Sequence, residues 1–397
     1  MSKTTGTVSM GVKAPIIKEG DNLTEIVVES VLAAARENNS PLRDRDVVAV
    51  KESIAARAQG NYASVQDIAD DIKSKFPCDA EIGVIFPILS RNRFAVVLRG
   101  IAMSAKKIYL MLSYPSDEVG NALITTEQLM ESGVNPYVDV LSEARFRELF
   151  GYEKHIFTGV DYIDYYKEIV IEAGAEIEVI FANNPTAILK YTKDVICSDI
   201  HTRKLTKEKL TKADAFRVCG LENILSRSVN GSGFNPEYGV LGFNKATESR
   251  IKLFPRDCKT LVTDIAAEFY ERTGKRVEVM VYGDGAFKDP VGFIWELADP
   301  VVSPAFTSGL TGTTNELKIK YLTDNEFSDL SGDELREAIL NKIKEKKADL
   351  KGDMASQGTT PRFLTDLLGS LADLTSGSGD KGTPIVLIQG YFDNYSN

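Results

Sequence analysis

Residues Arg276 to Pro290, RVEVMVYGDGAFKDP, are the stretch from which the rest of the chain is read. Val277, Val279 and Val281 form a β-branched run that breaks at Gly283-Asp284-Gly285. An acid between two glycines, just past a strand end, offers a carboxylate to a ligand. The glycines permit a sharp turn and close approach, and the strand fixes where the acid points. A divalent cation such as Mg²⁺ or Mn²⁺ is a natural partner for that charge, and Lys288, four residues on, is placed to meet a phosphate. A strand that ends in an Asp-Gly turn has the same appearance, so the local pattern leaves both readings open.

Outward from this stretch, helical and strand patterns alternate, which predicts an α/β fold with mixed sheets. Asp21 is placed to cap a helix running to about Arg36, followed by a strand at Val47 to Val50. Ser64 with Asp67 reads as a capping box opening a short helix to about Lys75. Ile82 to Leu89 and Phe94 to Leu98 read as a hairpin or neighbouring buried strands. The basic loop Ser90-Arg91-Asn92-Arg93 lies between them, solvated or in contact with an anion. Strands are expected at Ile108 to Leu112, Glu176 to Phe181 and Val195 to Ser198, and helices at Ser142 to Phe150 and Asp161 to Glu172. Asn183-Asn184-Pro185 starts a further helix. Cys258 to Thr273 is amphipathic and ends at Gly274, so strand, helix and strand around it suggest a βαβ unit with Asp284 at its carboxyl end. The charge-dense interval 321–357 reads as a helical surface insertion, its helix running from Ser331 to Lys351. Residues 1–320 and 358–397 form the core. Thr360-Pro361 opens a helix through Leu371. PIVLIQG, Pro384 to Gly390, is a buried strand, so the N- and C-terminal parts intertwine.

Composition narrows the functional classes. At 397 residues, 43% hydrophobic and 26% charged, the chain has material for a sizeable core. A net charge of −10 argues against broad nucleic-acid or membrane-surface binding, though not against a local basic pocket. The four cysteines form no CxxC pair, and MSKTTGTVSMG lacks the apolar core of a signal peptide; both suit a cytoplasmic protein. Two histidines, His155 and His201, are too few for a His-rich zinc site.

The pieces in order resemble the coenzyme F420-0:gamma-glutamyl ligase family along nearly the whole chain. GVKAPIIKEGDNL is similar to that family's opening, and LRDRDVVAVKESIAARAQGN to its DGDV…SKAEGR segment. GFNKATESRIKLFPRDC resembles GIDxSN…LLPxDPD, VYGDGAFKDP resembles SDTxGRPWR, and LADLTSGSGDKGTPIVLIQG resembles the closing AAeLvmGQ…PvvivRG. The resemblance implies the family's fold, a GTP- or ATP-dependent ligation of L-glutamate to a deazaflavin or pterin-like acceptor, Mg²⁺ or Mn²⁺, and a homodimer. It also implies that Asp284 and Asn244 hold metal, with Asp284 and Lys288 catalytic. Gly283, Gly285, Lys288, Ser378 and Gly379 would then meet the nucleotide, the last two in the glycine-rich loop SGSGDKG.

Several of these positions depart from the family pattern. Asn244 stands at the first metal-binding Asp, Gly285 at a Thr and Ser378 at a Gln, while Ser53, Ala56 and Gln59 replace a Lys, a Ser and a Glu. Fewer carboxylates hold a divalent cation more weakly unless Asp257, Asp289 or Asp380 joins them. The alternative is a binding or regulatory protein that keeps the fold with a degraded metal site.

Overall fold

Val47, Val48, Ala49 and Val50 are all buried, and a strand apolar on both sides needs cover on both faces. In the computed structural model, which describes residues 4–350, 352–356, 362–376 and 379–395, that strand is the middle of a five-stranded sheet. The order is Val8–Val12, Ile385–Gln389, Val47–Lys51, Glu278–Tyr282 and Ala305–Phe306. The period of two sorts its side chains cleanly. Val48, Val50, Val279, Val281, Ile385 and Leu387 face the helices Leu23–Glu37 and Cys258–Thr273. Val47, Ala49, Met280, Tyr282, Val386 and Ile388 face the helix Leu364–Ser376. The first strand pairs antiparallel with the last, Val8 opposite Gln389 and Val12 opposite Ile385, so the two ends of the chain are intertwined.

Between the strands Val47–Lys51 and Glu278–Tyr282 the chain builds a six-stranded sheet. Its order is Leu141–Ser142, Glu176–Phe181, Lys107–Leu112, Glu81–Ile85, Asp194–Cys197 and Arg217–Gly220. All neighbours are parallel except the Leu141–Ser142 edge. The chain leaves Glu81–Ile85 to one side and returns on the other, which makes the carboxyl end of this strand a topological switch point. The segment leaving that end is Phe86 to Arg93. A small third sheet, Asn244–Lys245, Arg250–Lys252 and Tyr62–Ser64, lies between the two units in sequence.

Several elements differ from the sequence reading. Phe94–Ala102 is a helix, not a strand, and all its residues except Arg99 are buried. A helix enclosed on every side loses its 3.6-residue pattern and mimics a buried strand. The strands Asn244–Lys245 and Arg250–Lys252 belong to the small sheet, so no βαβ unit spans Cys258–Thr273; the parallel partner of Glu278–Tyr282 is Val47–Lys51. Asn22, rather than Asp21, caps the first helix, through Oδ1 and the Glu25 amide. Ser64 and Asp67 form the capping box, on a helix that ends at Lys73. Asn184 caps a 3₁₀ turn, Pro185–Lys190. The last core helix runs to Ser376, and its expected Thr360-Pro361 start lies outside the described residues.

The helix within 321–357 is shorter than expected, Gly332–Lys344. Its neighbourhood closes on itself: Lys318 N donates to Ala355 O at 2.8 Å, and the Asn315 amide reaches Lys347 O and Ala348 O at 3.1 and 3.0 Å. Leu322, Ile339, Leu350 and Ala355 are buried, yet they join none of the core clusters of the three sheets. Excising 321–357 with a Gly/Ser bridge is therefore expected to change unfolding free energy by about 1 kcal/mol or less. Chemical denaturation of the shortened chain checks this, and loss of cooperative unfolding would make the segment part of the core.

Candidate active site

Parallel pairing puts Tyr282 opposite Lys51, so two strands end side by side and deliver Lys51-Glu52 and Gly283-Asp284-Gly285 to one place. The helix Leu364–Ser376 brings Asp373 beneath them. Lys51 Nζ donates to Asp373 Oδ1 at 2.5 Å and to Gly283 O at 3.2 Å, and lies 3.9 Å from Asp284 Oδ1. From the six-stranded unit comes Arg93, at the start of the helix Phe94–Ala102. Its Nη2 donates to Asp284 Oδ2 at 2.9 Å and its Nη1 to Asp299 Oδ1 at 3.2 Å. Asp299 Oδ2 in turn accepts from the Asp284 amide at 2.8 Å.

The glycines beside Asp284 are needed for space. A Cβ on Gly283 would lie 2.4 Å from Asp299 Oδ2, and one on Gly285 would lie 3.0 Å from Ser370 Cα; neither residue has a positive φ. Their amides are occupied as well: Gly283 N donates to Val302 O at 2.8 Å and Gly285 N to Asp373 Oδ2 at 2.9 Å. The loop thus holds acids together and is no open cradle for a phosphate.

Four acids and three cations share this volume. Burial, then the neighbouring Asp299 charge, pushes Asp284 up to about 7 against the pull of Arg93 and Lys51. Burial likewise pushes Glu52 up to about 7, against Lys252 at 3.3 Å. Burial works against the charges of Arg93 and Lys51, but the carboxylates outweigh it and both pKa values are raised.

These groups edge a cavity of about 890 Å³ lined by Lys51, Glu52, Arg57, Arg93, Asn244 and Asp284, with Asp373 and Gly379 on its wall. Asn244 and Asp284 therefore meet at one cavity, although they come from different sheets rather than from adjacent parallel strands. Lys288 points elsewhere, its Nζ 5.4 and 5.5 Å from the ring centres of Phe293 and Trp295. Ser378 lies outside the described residues. Of the substitute acids, Asp289 caps the amides of Val291, Gly292 and Ile294, and Asp257 lies beside Arg256. Neither they nor Asp380 line this cavity. The sequence reading missed Lys51, Glu52, Asp299 and Asp373. For Lys51-Glu52 a signal existed, because the pair follows Val47–Val50 just as Asp284 follows its own apolar run. Arg93 stood in a loop already read as a possible anion contact.

A resident divalent cation does not fit this arrangement. Among the described residues no group of three or more His, Cys, Asp or Glu is placed to hold a metal ion. The oxygens of Asp284, Asp299 and Asp373 face Arg93, Lys51 or backbone amides, and Asn244 adds no charge.

The fold and site define an α/β protein whose charged cleft is closed by an arginine from an inserted sheet. The family model for F420-0:Gamma-glutamyl ligase matches residues 11–390, and the chain belongs to that family. A search of curated proteins gave no match. Membership makes it a ligase of the gamma-glutamyl class, acting on small molecules. No helix among the described residues is long and apolar enough to cross a membrane.

Arg93→Met leaves the buried Asp299 without a cation and Asp284 with Lys51 alone, and is expected to cost about 3–5 kcal/mol in urea unfolding. Adding Asp299→Asn should recover part of the loss; an unchanged midpoint for the single variant would show that the pairing is not structural. The pH dependence has a definite sign. Asp284 and Glu52 have folded values near 7, above their unfolded carboxylate values, so they keep protons that the unfolded chain has released. Their contribution to stability falls as pH rises from the unfolded value, about 4, to 7. Denaturation across that window should show the slope, reduced in Glu52→Gln.

Proposed function

We propose that the chain joins a carboxylate of a deazaflavin or pterin-like acceptor to the amino group of L-glutamate, at the expense of GTP or ATP. The acceptor carboxylate attacks the γ-phosphorus, displacing the nucleoside diphosphate and forming an acyl phosphate. The glutamate amine then attacks the acyl carbon, expelling inorganic phosphate and forming the amide. One observation carries the reading: Asp284, pushed up to about 7, edges a cavity that also presents Arg57, Lys51 and Arg93. A carboxyl with that pKa is suited to accept the proton released by the attacking amine. Arg57 makes no ion pair with any described residue and is free to meet nucleotide phosphates, while Lys51 and Arg93 hold Asp284 in place. Mg²⁺ or Mn²⁺ belongs to this reading as the counter-ion of the nucleotide, part of the co-substrate. A homodimer and a cytoplasmic location complete it, on the family resemblance and on four cysteines that all stand as free thiols.

The second reading, a binding or regulatory protein, draws support from Asn244 in place of an acid and from the committed carboxylate oxygens. Phosphate release from GTP or ATP, with L-glutamate and either F420-0 or pterin-6-carboxylate as acceptor, separates the two. Turnover should rise with pH through a limb near 7 as Asp284 gives up its proton and becomes able to act as the base. Asp284→Asn should lower kcat by about 10²–10⁴ while nucleotide still raises the melting temperature. A nucleotide-induced rise with no phosphate release at any pH would favour the binding protein.

A further inference from the structure

A second cavity, of about 880 Å³, opens at the switch point of the six-stranded sheet, between that unit and the loop 287–296. Five aromatic side chains, Phe157, Tyr162, Tyr165, Phe287 and Trp295, line it. Phe157, Phe287 and Trp295 keep 53%, 38% and 43% of their surface exposed, although they line a concavity. Apolar rings left uncovered in a recess are a usual mark of a ligand site. The wall is built: a Cβ on Gly292 would lie 2.5 Å from Phe157 Cε2, and Trp295 N donates to Val119 O at 2.8 Å.

Most of the charge in this recess is already committed. Arg91 makes no ion pair or hydrogen bond with any described residue. Burial lowers the His155 pKa and raises that of Tyr162, and the charge of Arg91 acts downward on both, so it is felt at each of these groups. His155, buried and held by Asn121 and Thr158, is kept neutral first by that burial. Lys245 is occupied by Glu248. Of the two acids on the wall, Asp289 spends its oxygens on the amides of Val291, Gly292 and Ile294, and Glu296 is exposed. Arg91 is therefore left to meet an anion beside a set of rings that can stack on a planar body, with Glu296 the remaining uncommitted acid on the wall, at the junction with the cavity at Asp284.

We propose that this cavity is a binding site for a flat aromatic molecule carrying a phosphate or carboxylate, stacked among Phe157, Phe287 and Trp295 and anchored by Arg91. Asn92, Arg93, Phe287 and Glu296 line both this cavity and the one at Asp284, so an anionic tail at the junction reaches the other site. That makes the recess the acceptor's place, a role that rests on the ligase reading; the binding site itself does not. The molecule would lie against the inserted sheet.

Trp295 is the only tryptophan in the chain, so its emission reports on this cavity alone. The probes are FMN and riboflavin, the same ring system with and without a phosphate. FMN is expected to quench Trp295 saturably, at one equivalent by equilibrium dialysis, without nucleotide present. Riboflavin should bind about tenfold more weakly, the usual effect of losing one charge-assisted contact. Arg91→Ala should weaken FMN to the riboflavin level and leave riboflavin unchanged, while Arg57→Ala, in the other cavity, should leave both unchanged. Because Arg91 is exposed, its variant should melt with the wild type. Absence of saturable quenching, equal FMN binding by Arg91→Ala and wild type, or weakening by Arg57→Ala instead would overturn the assignment. FMN binding that follows Arg91, without phosphate release from GTP or ATP, keeps the site and removes its role in ligation; phosphate release without FMN binding does the reverse.

Discussion

The guanidinium of Arg93 sits between Asp284 and Asp299, and much else depends on that contact. Arg93 comes from the inserted six-stranded unit, whereas both acids follow the strand Glu278–Tyr282 of the five-stranded sheet. Three side chains, each at most 15% exposed, thus join two separately built sheets through charge, beside the apolar packing of Ile294, Leu297 and Val301 on the core of the inserted unit. Buried ion pairs of this kind add little net stability over an apolar replacement, but they tolerate few alternative geometries. The relative placement of the two cavities is accordingly fixed at one residue that lines both.

The same contact explains the state of Asp284. A carboxyl buried beside another carboxyl would remain protonated far above neutrality without compensation. Arg93 and Lys51 bring it back to about 7, where it exchanges protons under physiological conditions. The family resemblance assigns this acid to a metal, and here two side-chain cations meet it instead. Asn244 in place of an acid is consistent with that shift, because a site that holds no divalent ion has no need of a second carboxylate ligand.

Much of this was legible in the sequence, but unevenly. The strands Val47–Lys51, Glu278–Tyr282 and Ile385–Gln389 were readable because fully buried strands are continuous apolar runs bounded by turn residues. The intertwined ends followed from the core-like character of PIVLIQG. The helix Phe94–Ala102 was not readable, since burial on all sides erases the amphipathic signal that separates helix from strand. Asp284 was found because it directly follows its strand. Asp299 and Asp373 were not, since they arrive from a loop and a helix whose positions only tertiary packing sets. Asp373 looks like any polar residue in LADLTS, and only its contacts with Lys51 and the Gly285 amide give it a role.

The pairing of the first strand with the last has a consequence for biosynthesis. All six strands of the inserted sheet lie between residues 81 and 220, so that sheet is complete in sequence while a large part of the chain is still to be made. The five-stranded sheet, in contrast, has a gap between Val8–Val12 and Val47–Lys51 until residues 385–389 emerge. Chains fold domain by domain as they leave the ribosome, and contacts distant in sequence form late. The nascent protein therefore carries a finished inserted unit, with Arg93 already in place, while Val8–Val12 and Val47–Lys51 expose unpaired edges. Those two edges are what a chaperone would have to shield during synthesis, and the final strand closes them both at once.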